Sequence, residues 1–391
     1  ASNTFNWTYD GTSPTMTIAS GTVSSGDTSN DATIALTFTS SEDTSDFVEG
    51  DVTVTNGSLS DFSGSGKAYT ATFTPSSAGA TTVDVAGNKF TDAAGNNNSA
   101  ATQFTWTYDN VAPTMAITSS TSGVSSGSTT NDSTINLTFT ANEAATGFVE
   151  GDITVNGGSL SSFTAVSSTV YTATFTPSSA GATTVDVAGS KFTDTAGNNN
   201  GAATQFTWTY DNVNPTLASS SPADNATGVA VDANIALTFS ENVAKGSGNI
   251  TLYKADSTLV QTIDVNSGLV TVSGTGVTIN PTANLDSAQG YYLHIAATAF
   301  DDAVGNSYAG ISNSSTLNFI SVDTVNPTLV STSPADNATG VAVGANIVFT
   351  FSEAVKAGSG DFKLYRSDNT LLEDLDVTSG AVTFSGATVT V

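Results

Sequence analysis

Short runs in which large apolar residues alternate with small or polar ones recur along the whole chain. In ATIALTFT, Ile34, Leu36 and Phe38 take every second position; YTATF does the same with Tyr69, Ala71 and Phe73, and FTWTYD with Phe104, Trp106 and Tyr108. Successive side chains of an extended chain point to opposite faces, so each run predicts a strand with one buried face. Threonine, valine and aromatics suit such a half-buried pleated surface. Clusters of Gly, Asn, Asp and Ser separate the runs and supply turns. No stretch carries a convincing helical period. The expectation is an all-β chain of antiparallel strands stacked as sandwiches.

The pattern also repeats at long range, in two spellings. YTATFTPSSAGATTVDVAG occupies Tyr69–Gly87 and returns unchanged at Tyr171–Gly189, and PADNATGVAV occupies Pro222–Val231 and Pro334–Val343. The spacings of 102 and 112 residues exceed solenoid or propeller periods, and each is long enough for a domain with its own core. Boundaries fall at Asp-x-x-x-Pro segments: Asp10 to Pro14, Asp109 to Pro113, Asp211 to Pro215 and Asp323 to Pro327. Proline removes a ladder donor and fixes φ, which ends one strand and starts a short stiff crossing. The expected division is residues 1–12 as the last strand of a preceding module, then 13–112 and 113–213 of one kind, 214–325 of a second kind, and 326–391 as an incomplete second-kind module. The second-kind repeat from Pro215 to Asn326 runs 112 residues, and the last, from Pro327 to Val391, only 65.

Charge narrows the partners. The 391 residues hold 35 acidic and 8 basic side chains, a formal net charge of −27. Nucleic acids and anionic membranes require Lys/Arg footprints that this chain lacks. Aspartate-rich surfaces suit divalent cations, and they also simply keep long secreted chains in solution. There is no Cys, which excludes disulfides, zinc–thiolate sites and thiol catalysis. No apolar run approaches a membrane span. The chain opens in mid-pattern with no visible signal peptide, so targeting signals are expected outside this segment.

Residues 13–213, with FVEGD(V/I)TV, GSLS-x-F, YTATFTP and KFTD-x-AGNNN, resemble the bacterial Ig-like repeats of giant surface adhesins. Residues 214–391, with NPTL, SPADNATGVAV, YYLHIAATAFDDAVGN and LNFISVD, resemble the SbsA-type bacterial Ig-like domain of S-layer and adhesin proteins. The resemblance implies tandem Ig-like antiparallel β-sandwich modules in an elongated array. Such modules act as extenders, often with calcium at their junctions, and the resemblance implies no catalytic residues.

Three acidic positions recur per module: the linker Asp, a Glu just after the second long strand (Glu42, Glu143, Glu241, Glu353), and the Asp of an Asp-x-x-Gly-Asn loop before the last strand (Asp92, Asp194, Asp302 beside Asp301). In an Ig-like sandwich these loops emerge at the end where the chain enters. Asp10 is therefore expected to meet Glu42 and Asp92; Asp109 to meet Glu143 and Asp194; Asp211 to meet Glu241 and Asp301/Asp302; and Asp323 to meet Glu353. Clustered carboxylates repel and raise one another's pKa. A Ca²⁺ ion taking about six to eight oxygens resolves the repulsion, with Asn110, Asn212, linker carbonyls or water completing the shell. The competing reading is that Asp and Asn only close turns there. In FVEGD, Glu49 with Asp51 and Glu150 with Asp152 read as exposed strand-start acids or as supplementary ligands.

Catalysis has little support. His294 is the only histidine, and it alternates within a strand; no GxSxG or phosphate-cradling motif appears. Trp7, Trp106 and Trp208 share one strand position, which reads as core. The expected function is a spacer segment of a secreted bacterial surface adhesin or extracellular fibre, stiffened by calcium. Its partners would be neighbouring modules of a longer chain, with other copies laterally. Two alternatives stay open: a self-assembling S-layer or filament subunit, and a glycan-binding array.

Overall fold

The computed structural model describes residues 4–391 as two compact units, one reaching Val213 and taking in Val304–Asn306, the other holding Asn214–Ala303 and Ser307–Val391. Strands dominate both, and the helical elements among the described residues are the single 3-10 turns Glu49–Asp51 and Glu150–Asp152.

In the first unit, Met16–Ser20, Ile34–Thr44 and Gly57–Pro75 form one sheet in that order. Thr28–Ser29, Phe104–Tyr108, Gly79–Val85 and Val52–Thr55 form a second. Ile34, Leu36, Phe38, Tyr69 and Phe73 from the first sheet join Val83, Val85, Phe104 and Trp106 from the second in one core. Fully burying each of the larger side chains stabilises the sandwich by about 1.5–3 kcal/mol before entropy is counted. Residues 113–213 repeat this plan around Phe139, Phe175, Phe206 and Trp208.

The tryptophans show why this position takes an indole. Trp106 Nε1 donates to Ser29 Oγ at 3.1 Å and Trp208 Nε1 to Thr130 Oγ1 at 3.1 Å. Each ring is thus buried with its one polar atom satisfied. Trp7 is 71% exposed, as Phe5 and Tyr9 are exposed, and no strand forms around it; its expected core position belongs to a preceding module whose other strands are not in this sequence. Residues 1–3 of the expected terminal strand lie outside the described residues.

One pairing per sandwich departs from the antiparallel rule. Thr28–Ser29 runs parallel to Phe104–Tyr108, Ser128–Thr130 to Phe206–Tyr210, and Ala226–Val229 to Asn318–Ser321.

In the second unit, residues 214–325 pair a four-stranded sheet with a five-stranded one, the latter ordered Ala226–Val229, Asn318–Ser321, Gly290–Ile295, Asn249–Lys254, Leu259–Asp264. Their core includes Ile250, Leu252, Leu293, Phe300 and Phe319. Residues 326–391 form a second four-stranded sheet and the hairpin Asp361–Tyr365 with Leu371–Asp376. Phe349 stacks on Phe362 there with ring centroids 5.2 Å apart, but both are only half-buried.

Candidate metal centre

The linker aspartates come first. In all four, Oδ1 accepts the backbone N–H two residues on, at 3.0 Å: Thr12 on Asp10, Val111 on Asp109, Val213 on Asp211 and Val325 on Asp323. The turn-forming role is therefore real. It engages one carboxylate oxygen, and a carboxylate has a second with which to face the cluster.

The loop aspartates are buried. Asp92 Oδ1 accepts the N–H groups of Ala94 and Asn96 at 2.9 and 2.8 Å, and its Oδ2 accepts Asn96 Nδ2 at 2.9 Å. Asp194 accepts the Asn198 N–H at 2.9 Å and Nδ2 at 2.8 Å. The Asn96 side-chain amide, foremost, holds the Asp92 carboxyl below its ordinary range against partial burial, and the loop N–H groups add to it.

Glu42 and Glu143 supply the third carboxylate of each set. The strand Ile34–Thr44 runs on through Glu42, so this residue lies within a strand instead of following one; Glu143 lies just past Ile135–Ala141, as expected. The ligand atoms of Asp10, Glu42 and Asp92 lie within 4.8 Å of one another, as do those of Asp109, Glu143 and Asp194. Partial burial and then the charges of Asp10 and Asp92 push the Glu42 carboxyl up, with Lys67 opposing. Partial burial, then Asp194 and Asp109, push Glu143 up, with the Asn142 amide opposing. Every donor is a carboxylate oxygen, with no imidazole or thiolate, which is the donor chemistry of a hard divalent cation and fits Ca²⁺.

Asn96 and Asn198 are the site residues that sequence reasoning missed. Asn96 Nδ2 also donates to the Asp10 carbonyl at 3.2 Å, and Asn198 Nδ2 to the Asp109 carbonyl at 2.9 Å. Each amide thus ties linker to loop. Their neighbours Asn98 and Asn200 brace the loop from beneath: Asn98 Oδ1 accepts the N–H groups of Lys89 and Phe90, and its Nδ2 donates to the carbonyls of Ala86 and Ser99. The repeated AGNNN was the available signal.

Asn110 and Asn212, expected as supplementary ligands, are exposed. Of the FVEGD acids, Asp51 and Asp152 cap their 3-10 turns, Asp51 accepting the Val48 N–H at 3.0 Å and Asp152 that of Val149 at 2.9 Å. Asp211 belongs to the first unit, and Glu241, Asp301 and Asp302 to the second. Asp302 is buried and Glu241 half-buried, whereas Asp301 pairs across to Ala244 and accepts the Ser307 hydroxyl at 2.5 Å.

Within the second unit, Asp323 and Glu353 do meet. The Val325 N–H, the Ser287 hydroxyl and the Glu353 carboxyl hold Asp323 below the usual range. Burial, then the hydrogen bond to Asp323 and its charge, raise Glu353.

His294 lies in Gly290–Ile295, half-buried beside the rings of Tyr253 and Tyr292. No helix among the described residues is long and apolar enough to cross a membrane.

Repeated sandwiches with carboxylates gathered where the chain enters define a class of modular β-sandwich protein. Two family models, each described as a bacterial Ig-like domain, match residues 10–108 and 109–210 in one case and 211–320 and 323–391 in the other. The chain belongs to the bacterial Ig-like domain family. No curated protein is significantly similar to it. Among solved structures, it is similar to InvD of Yersinia pseudotuberculosis (14% identity, 78% of this chain and 97% of that one, TM-score 0.33). It is also similar to invasin, a bacterial integrin-binding protein (15%, 96% and 79%, TM-score 0.34), and to a tetra-tandem repeat from the extending region of a large adhesion protein (17%, 97% and 90%, TM-score 0.29).

Proposed function

We propose that this chain is a spacer segment of a secreted bacterial surface adhesin or extracellular fibre, whose module junctions bind Ca²⁺ and are stiffened by it. The observation that carries this reading is the repetition of one constellation at successive junctions of the first unit. Asp10, Glu42 and Asp92, then Asp109, Glu143 and Asp194, each bring a linker carboxylate to two carboxylates of the module that follows. A cation in either set joins linker to module and removes the mutual repulsion that raises the glutamates. The chemistry is mechanical in this reading, and the chain is not an enzyme: its lone imidazole is packed among tyrosines, and its carboxylates repeat module by module.

Thermal unfolding and small-angle scattering of the chain in Ca²⁺, in Mg²⁺ and in excess chelator test it. The expected result is a lower melting temperature and a more bent ensemble in chelator, with Mg²⁺ unable to restore either. Unchanged melting and maximum dimension would reduce the acids to turn formers.

A further inference from the structure

The two kinds of sandwich differ in what their outer sheet faces show. Around Tyr69 and Phe73 in the first unit, the outward positions are threonines such as Thr70, Thr72, Thr105 and Thr107. The five-stranded sheet of residues 214–325 instead carries rings outside its core. Along Gly290–Ile295, Tyr291, Leu293 and Ile295 point into the core, which leaves Tyr292 and His294 outward. Thr251 lies opposite His294, and Tyr253 opposite Tyr292. Tyr253 stacks on Tyr292 with centroids 5.1 Å apart and an interplanar angle of 14°, and His294 sits 5.1 and 5.2 Å from the two rings. Tyr292 is buried without belonging to the core, and its hydroxyl lies 3.2 Å from Ser257 Oγ.

Open grooves flank this platform. One, of about 590 Å³, is lined by His294 with Thr251, Asn249 and Ser312; the other, of about 350 Å³, by Tyr292 with Ser314, Ser315 and Asn318. Both volumes fall in the roughly 300–1,000 Å³ range of small-molecule sites. Neither groove is lined by Asp, Glu, Lys or Arg, in a chain with 35 acidic side chains. Stacked rings offer an apolar face at low entropic cost, and hydroxyls, amides and an imidazole around them offer hydrogen bonds in both directions. An anionic ligand would meet a net charge of −27 with no cation in either groove. The complementary ligand is uncharged, has apolar ring faces and is rich in hydroxyls.

We infer that the outer sheet face of residues 214–325 binds neutral oligosaccharides, a sugar ring packing on Tyr253 while groups in the two grooves take its hydroxyls. The inference stands apart from the calcium reading, since none of these residues belongs to a carboxylate set.

Because His294 is the only histidine, its imidazole Hε1 gives a single, unambiguously assigned signal in the full chain. Titration with cellotetraose, maltotetraose and tetra-N-acetylchitotetraose should move that signal saturably for at least one probe, with a Kd near ~1 mM. Tyr253→Ala should weaken binding about tenfold. Asn249→Ala, at an exposed position, should also weaken it and serves as the readout if the tyrosine variant misfolds. Three results would overturn the inference: no shift with any neutral probe at about 10 mM, a heparin tetrasaccharide that binds as well as the neutral ones, or concentration-dependent dimers that Tyr253→Ala abolishes and sugars do not affect. The last would make the platform a contact between copies of this chain.

Discussion

The two three-carboxylate junctions of the first unit present the same residue types in the same order, yet their linkers are held differently. Asp109 leaves a paired strand, Phe104–Tyr108, and its own N–H donates to the Ser29 carbonyl at 3.0 Å. Asp10 follows a segment with no strand and is exposed, whereas Asp109 is half-buried. The amide tie is 2.9 Å at Asp109 and 3.2 Å at Asp10. The second loop has a further neighbour, since the Asn30 N–H donates to the Ala196 carbonyl at 3.1 Å. Within this segment, identical donor atoms are thus held to different degrees, Asp109 behind a paired strand and Asp10 behind none, and such pre-organisation bears on affinity.

Removing the loop carboxylate tests whether the difference reaches beyond the site. Asp194→Ala strips a 2% exposed residue whose carboxylate accepts both the N–H and the amide of Asn198. Urea denaturation in chelator should show a loss of about 3 kcal/mol, and Asp92→Ala a similar one. Only Asp194→Ala should speed hydrogen exchange at Asn30. Losses under about 0.5 kcal/mol for both would mean that the loops hold themselves without their aspartates.

The strands and cores were legible because period-2 alternation is a direct record of burial: Ile34, Leu36, Phe38, Phe104 and Trp106 are all core. The parallel pairings were not, since Thr28–Ser29 and Ser128–Thr130 are short and polar and carry no such alternation. At the sites, repetition exposed the charged members, whose chemistry is read from residue type alone. Asn96 and Asn198 stayed hidden because an asparagine after Asp-x-x-Gly is already explained as a turn former, and its second hydrogen bond goes to a linker distant in sequence. Ser287, which donates to Asp323 at 2.9 Å, had no signal at all.

Calcium affinity sharpens the comparison next. Glu42→Gln and Glu143→Gln each disable one junction with little change of shape. In calorimetric titrations, the binding event lost in Glu143→Gln should be about tenfold tighter than the one lost in Glu42→Gln. Equal affinities would break the link between linker anchoring and binding. A smaller contrast lies in the stability of the two sandwiches. Asp46 accepts the Thr91 N–H at 3.0 Å, the Thr91 hydroxyl at 2.9 Å and the Thr44 hydroxyl at 2.8 Å, where the second sandwich has Gly147. Partial burial works to raise the Asp46 carboxyl, but these hydrogen bonds win and hold it below 3.8. A depressed folded-state value adds stability above the unfolded value, lost as pH falls through the folded one. Asp46→Ala should therefore cost about 1 kcal/mol near neutrality, after allowance for solvent screening. It should also flatten the loss of stability expected on acidification through and below the usual aspartate range. An unaltered acid limb would assign that loss to other carboxylates.

The smallest expected effect isolates the one basic side chain that acts on a junction glutamate. Lys67 lowers the Glu42 carboxyl against its acidic neighbours, and its Nζ donates to the Ser41 carbonyl at 2.9 Å. No lysine acts on Glu143. A cation beside the first set competes with the metal, so Lys67→Ala should tighten Ca²⁺ binding at that junction by about threefold at low ionic strength. The second junction, with no such lysine, should not respond. The substitution also frees the strand at Ser41, a local loosening that would weaken binding instead. Salt separates the two contributions: the electrostatic gain should fade as the Debye length shrinks from about 30 Å at 0.01 M to about 3 Å at 1 M, whereas a loss from loosening would persist. Weaker binding at every ionic strength would show that Lys67 supports the first junction mechanically, and that linker anchoring alone sets the two sites apart.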